Sequence, residues 1–409
     1  MGTGHRHEPA PVPAPARTRR MIVAGIVALL LLTAVGLAVL WPTSRPAVTQ
    51  TDQPTRRHGT VTELRLTPCG QRPSQPSTRP APGSRQCGSA LVRLDDGPAA
   101  GETVPARIPE GPGSPLLRVD DRVILVETDE AEPDEAGTGE TESAAPGYAV
   151  LDHQRGRPLL VLVLAVALAV VGFARWRGLA ALAGLGVSFA ILLLFVLPAI
   201  SVGRPPLLVA VVGSAAIMFT VLYLTHGVSI RTSVAVLGTL ASLVLTGVLG
   251  AVSIMATHLT GFGSEESGLL AVFLGEVDVR GLLLAGVIIG TLGVLDDVTV
   301  TQTAIVAELA AADPQLDRRA LYRAATRIGR SHIASTVNTI VLAYAGATLP
   351  LLLLVAVNGQ PAGTILTSEF IAQEVIRSAV GTLGLVAAVP LTTGLAALVT
   401  AGAGVNGAE

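Results

Sequence analysis

The sequence predicts a mainly α protein, a polytopic transmembrane helix bundle of about eight spans with a small β-rich extracytoplasmic domain inserted after the first span. Three observations carry this expectation. Half of the 409 residues are hydrophobic, only 14% are charged and the mean hydropathy is +0.59, far from an ordinary soluble domain. Apolar runs long enough to cross a bilayer recur along the chain. One polar interval, residues 42–157, interrupts them and carries short alternating runs instead.

Residues 1–20 form a Pro- and Ala-rich tail ending in Arg17, Arg19 and Arg20, and residues 21–41 form the first span. That apolar run exceeds a usual signal-peptide centre, and "LWPTS" offers no small-x-small site after it, so it reads as an uncleaved anchor. In residues 42–157, "GTVTELRL", "ALVRL", "ETVPARI" and "LRVDDRVILVE" are β-type runs separated by Asp-Gly, Pro and Gly turn signals. They predict a β-rich domain over 59–127, rejoined by "YAVLD" at 148–152, as an OB-like or similar minimal barrel. Residues 128–147 are an acidic linker unable to bury a core. Cys69 and Cys87, the only cysteines, are expected outside the cytoplasm and paired as a structural staple.

The remaining spans are expected at 158–174, 179–198, 207–225, 232–257, 281 to about 310, 333–357 and 375–402, giving a seven-helix membrane domain over 158–403. Arginines in short loops favour the cytoplasmic side. Arg17, Arg19, Arg20, Arg175, Arg177, Arg231, Arg318, Arg319, Arg323, Arg327 and Arg330 all fall on one side if both termini are cytoplasmic. Arg204, Arg280, Glu265, Glu266, Glu369 and Glu374 fall on the other. The expected location is a bacterial cytoplasmic membrane, because the chain has no lysine and is rich in Ala, Gly, Val and Leu, as high-GC bacterial coding produces.

Several function classes are excluded. The net charge is −2 and the arginines lie beside apolar segments, so nucleic acid is not an expected partner. Without lysine no Walker A loop exists, and HExxH, GxSxG and a well-placed GxGxxG are absent. The seven histidines are scattered, with His5 and His7 in the tail. The expectation is a non-enzyme with no cofactor and no metal centre.

The informative stretch is "GTLGVLDDVTVTQT", residues 290–303, which puts Asp296 and Asp297 after a nearly pure aliphatic run. An intramembrane carboxylate is costly and marks a functional position by default. On a helix, Gly286, Gly290, Gly293, Asp297, Thr301, Ala304 and Glu308 form a stripe of small and polar residues, while Leu292, Leu295, Ile305 and Leu309 face elsewhere. Small residues permit close helix approach, so the stripe predicts a protein-facing seam with Asp297 as the buried acid. A helix that leaves the membrane here, with both acids in cytoplasmic water, is a second arrangement, and a broken helix lining a cavity is a third. In the seventh span, Asn338 and Thr339 lie at the depth of Asp297, and a network through Thr301, Thr339 and Tyr344 is an expectation, with simple helix–helix glue as its alternative. Residues 317–331, "DRRALYRAATRIGRS", form a basic amphipathic connector for anionic head groups. Glu374 and Arg377, three apart, fit an intrahelical salt bridge or a cation vestibule.

Over roughly 148–400 the chain resembles the YibE/F-like multipass membrane proteins of bacteria. The resemblance rests on "LDHQRGRP", "THG", "GFGSEE", "GTLGVLDDVTVTQTAIVAEL", "IGRSHIASTVNTIVLAYAGATLP" and "EVIRSAVGTLGLVAAVPLT" in that order. It implies that Asp297, Thr301 and Glu308 occupy the acidic, hydroxyl and acidic positions of the family's sixth-span motif. It likewise implies that Asn338, Thr339, Tyr344, Glu374 and Arg377 fill its other polar positions. Asp296 stands where the family usually has an apolar residue, and Ser331 where an aspartate often follows Gly-Arg.

Two functional expectations follow. One is a transporter or permease-like protein in which Asp297 binds a proton or cation. The other is a non-transporting scaffold or envelope sensor whose β domain binds a partner, with envelope proteins or a homo-oligomer as the assembly.

Overall fold

The computed structural model describes residues 16–43, 55–67, 87–109, 114–128, 147–263, 265–274, 278–357, 361, 363–364 and 367–400. The chain divides into two compact units, Thr49–Ala169 and Met1–Val48 with Val170–Glu409.

The first unit holds five strands, β1 (Arg56–Thr67), β2 (Cys87–Leu94), β3 (Thr103–Ile108), β4 (Arg122–Thr128) and β5 (Gly147–His153). They close into a barrel in the order β1-β2-β3-β5-β4, antiparallel throughout except for the β3–β5 pair. This five-stranded closure is the OB-like arrangement the turn signals suggested. Alternation sets the inside: Ala90, Val92, Leu94, Ala106, Ile108, Val123 and Leu125 are buried, each two residues from the next on its strand. A register shift between Val61 and Glu63 lets β1 bend from β2 onto β4. The β2–β3 turn uses Gly97 and Gly101 at φ 91° and 93°. Beside it, Asp96 accepts from the His58 backbone N–H (2.9 Å) and pairs with His58 Nδ1 (2.7 Å). These bonds hold the Asp96 carboxyl below the usual carboxylate range. Cys87 is disulfide-bonded; the chain's other cysteine, Cys69, lies outside the described residues.

The helices are α1 (Ala16–Leu40), α2 (Gly156–Ile191), α3 (Leu197–Ser201), α4 (Pro206–His226), α5 (Ile230–Ala256), α6 (Glu265–Leu274), α7 (Val279–Ala312), α8 (Arg318–Ala347), α9 (Leu349–Val357) and α10 (Glu369–Thr400). Local chemistry sets several of their ends. Ser229, Asp278 and Asp317 cap α5, α7 and α8 by accepting from Thr232, Gly281 and Ala320 N–H. A π-type turn at Leu192–Val196 precedes Pro198, which has no N–H to continue an α-helical ladder.

Six helical segments among the described residues are long and apolar enough to cross a membrane, against the eight runs read from sequence. Two differences account for this. The runs at 158–174 and 179–198 lie in one helical stretch, Gly156–Ser201, broken at Arg175, where φ is 55°. The run at 333–357 is shared between α8 and α9, and His332 and Asn338 with the hydroxyl residues dilute the hydropathy of α8.

The centre of the bundle is α5, α7 and α10. Thr239 meets Thr299, Gly247 faces Ile288 and Gly250 faces Leu284, so α5 and α7 run antiparallel. Gly381 faces Thr291 and Thr393 meets Gln302, so α7 and α10 run parallel. Each helix approaches its neighbour where a glycine receives a side chain: Thr392 lies over Gly238, Thr246 over Gly384, and Leu284 over Gly250.

Candidate functional site

α7 continues without a break from Val279 to Ala312, so the broken-helix arrangement is not found. Asp296 lies 17 residues from its start, about 26 Å along a helix of about 51 Å. Its buried face carries Leu283, Leu284, Val287, Ile288, Leu292, Leu295, Val298 and Val306. The predicted seam faces the other way. Gly286, Gly290, Gly293, Asp297, Ala304 and Glu308 are exposed, and Thr301 is half-buried. This corrects the expectation that Asp297 is the enclosed acid. The physical reason is that the small residues that admit close packing sit on α5 and α10: Gly247 and Gly250 receive Ile288 and Leu284 of α7, and Gly381 receives its Thr291.

Asp296 is the more enclosed acid: its residue is half-buried, and Oδ1 is shut from solvent without a hydrogen-bond partner. A buried, unpartnered carboxylate oxygen is among the costlier features a helix bundle can hold. The surrounding interior is polar as well. Thr239 and Thr299 hydroxyls lie 2.6 Å apart, and Gln302 Nε2 donates to Ala325 O (2.9 Å) and Thr393 Oγ1 (2.8 Å), tying α7 to α8 and α10. Ser214 Oγ, Thr326 Oγ1, His332 Nε2, Arg377 Nε and Thr392 Oγ1 are, like Asp296 Oδ1, buried without partners. Of these, Ser214, Thr239, Thr299, Thr326, Thr392 and Thr393 were missed in sequence because hydroxyls at helix crossings carry no motif. Their one signal is a Thr or Ser facing a Gly on another helix, which needs the packing to be seen.

Asn338 and Thr339 are exposed, and Thr339 Oγ1 donates to its own helix at Ser335 O (3.1 Å). No hydrogen bond joins Asn338 to Asp297 among the described residues, so the expected network through Thr301, Thr339 and Tyr344 is not assembled. Ile333, Val337 and Ile340 turn α8 toward the core instead.

A second cluster does come together. Arg377 Nη1 donates to Glu374 Oε1 (2.7 Å), both largely shielded, and the Tyr344 hydroxyl lies within electrostatic range of the pair. Beside it, Gly290, Thr291, Tyr344 and Gly381 border a void of about 10 Å³, room for about one water.

At the start of α10, Glu369 accepts from Thr260 N–H (2.8 Å), Thr260 Oγ1 (2.6 Å) and Gly261 N–H (2.8 Å), clasping the segment after α5. Gly261, in "GFG", needs to be glycine: its φ is 92° and a β-carbon would sit 2.7 Å from Val279 O. The side chains of Glu265 and Glu266 lie outside the described residues. Replacing Glu369 by alanine is expected to speed amide exchange at Thr260 and Gly261 at least about tenfold, while glutamine, which keeps an acceptor oxygen, loses less. Unchanged exchange in the alanine variant would show that the clasp contributes nothing. Among the described residues, no group of three or more His, Cys, Asp or Glu is placed to hold a metal ion.

An apolar helical bundle with a polar interior and an enclosed acid midway along one helix defines the class, a polytopic membrane protein. The chain belongs to a particular family within it: residues 162–402 match the family described as YibE/F-like protein. No curated protein and no solved structure matches the chain.

Proposed function

We propose that the chain is a transporter or permease-like protein of the bacterial cytoplasmic membrane, with both termini cytoplasmic, in which Asp296 binds a proton or monovalent cation. The single observation that supports the reading is the enclosed, unpartnered Oδ1 of Asp296 midway along α7. A proton or cation there satisfies an oxygen that the protein leaves bare. Asp297, the next residue, is exposed, so one helix presents an open and an enclosed carboxyl side by side. This suits stepwise entry and release rather than covalent chemistry. The family's acidic position is Asp297, so in this chain the enclosed member of the pair is an addition to the motif.

The test is proton uptake into proteoliposomes driven by a potassium diffusion potential and read with an internal pH dye. Asp296→Asn is expected to lower protein-dependent uptake at least about tenfold, as loss of an obligatory relay would. Wild-type rates in that variant would remove Asp296 from the mechanism.

The second reading, a scaffold or envelope sensor, draws on the closed barrel, because OB-like barrels commonly bind extended ligands on one face. Deleting residues 59–147 separates the two: uptake that survives the deletion assigns transport to the helical unit, and loss of partner capture with normal permeability favours the scaffold.

A further inference from the structure

The end of the bundle where α8 begins and α10 finishes carries a groove of about 580 Å³. One wall is α8, with Arg318, Arg319 and Arg323 and the ring of Tyr322; the other is α10, with Ala397 and Leu398. The Tyr322 ring lies beside Gly394, where a β-carbon would sit 3.9 Å from it in ordinary van der Waals contact. All three arginines are exposed, and none has a carboxylate within ion-pair distance among the described residues. The nearest acid in sequence, Asp317, is committed to capping α8 through Ala320 N–H (2.6 Å). No acidic residue lies in the first turn of α8, so Arg318 and Arg319 add positive charge where the helix dipole is already positive. An anion relieves that arrangement.

The second wall decides which anion. Leu398 is 53% exposed beside the guanidiniums and lies within one turn of the end of the apolar helix Glu369–Thr400. A free phosphate would satisfy the arginines and leave the leucine bare. An amphiphile with an anionic head and an acyl chain covers both, at the depth where a spanning helix reaches the head-group layer.

We infer that this groove is a discrete binding site for one anionic glycerophospholipid, its phosphate held by Arg318, Arg319 and Arg323 and its acyl chain lying against Leu398. This goes beyond a diffuse attraction of the whole basic connector to the membrane surface, and it is independent of the transport reading.

The full-length protein in neutral detergent, supplemented with phosphatidylglycerol or with phosphatidylcholine of the same chains, is measured by native mass spectrometry for retained lipid. One phosphatidylglycerol is expected to stay bound where phosphatidylcholine dissociates. Arg318→Gln with Arg323→Gln is expected to lower that affinity about tenfold or more, while Arg327→Gln with Arg330→Gln, the same charge change on α8 outside the groove, stays within about twofold. Leu398→Ser, which leaves the charge intact, is expected to weaken binding by about threefold or more. Equal losses from the two arginine pairs would overturn the site in favour of diffuse charge. Displacement of the lipid by millimolar inorganic phosphate, or no effect of Leu398→Ser, would overturn the lipid as its occupant.

Discussion

Replacing Gly384 by alanine is expected to destabilise the bundle by about 1–3 kcal/mol, although alanine in a helix interior ordinarily gains about 1 kcal/mol over glycine. The reversal comes from one contact. A β-carbon at Gly384 runs into Thr246 Oγ1, and the Thr246 Cβ behind it is 3.2 Å away. Thr246 is fully buried, and its hydroxyl is anchored to Ser242 O at 2.8 Å, so it has nowhere to turn. Pushing α5 and α10 apart there also loosens the neighbouring crossing, where Thr392 covers Gly238. The partner substitution supplies the control. Thr246→Ala removes the oxygen and a methyl group, and the double variant is expected to recover most of the loss, a coupling of about 1–2 kcal/mol. Thermal unfolding in detergent or nanodiscs measures both. If Gly384→Ala alone raises the midpoint, the two helices do not cross at this contact.

Asp296→Val is expected to stabilise the protein by about 1–3 kcal/mol, the scale on which an unsatisfied buried polar group costs, and Asp296→Asn by a smaller amount. Burial of Oδ1 without a partner is the cause, and Asp297 next to it adds a like charge. The same two variants are expected to lose proton uptake, so stability and activity move in opposite directions. That combination separates a functional acid from a structural one. A structural carboxylate with a real partner would make Asp296→Asn less stable, and that result would remove the unpartnered oxygen on which the transport reading stands.

The resemblance and the geometry point to different members of the acidic pair. The position expected from the family motif is Asp297, which is exposed, whereas Asp296, the departure from the motif, is enclosed. A helical wheel read from sequence fixes the angle between the two side chains, about 100°, and nothing more. Which of them turns inward depends on what α7 packs against. The Gly286–Glu308 stripe looked like an interface because small residues allow close approach. In the bundle that role belongs to Gly238, Gly247, Gly250, Gly381 and Gly384, and the large side chains of α7 point at several of them. Glu374 and Arg377 were legible because their partnership is local, three residues apart on one helix. Thr239 with Thr299, 60 residues apart, and Gln302 with Thr393, 91 apart, were not.

By itself the sequence determined that this chain enters a membrane, that a small β unit interrupts its apolar runs, and that it carries the ordered motifs of its family. Those properties follow from hydropathy, alternation and turn chemistry, which are written over a few adjacent residues at a time. Only the tertiary structure decided which carboxylate is enclosed, which glycines admit a neighbouring helix, and where three arginines border an apolar wall. Each of these depends on the direction in which a helix faces its partners, and that direction is set by packing among segments far apart in the chain.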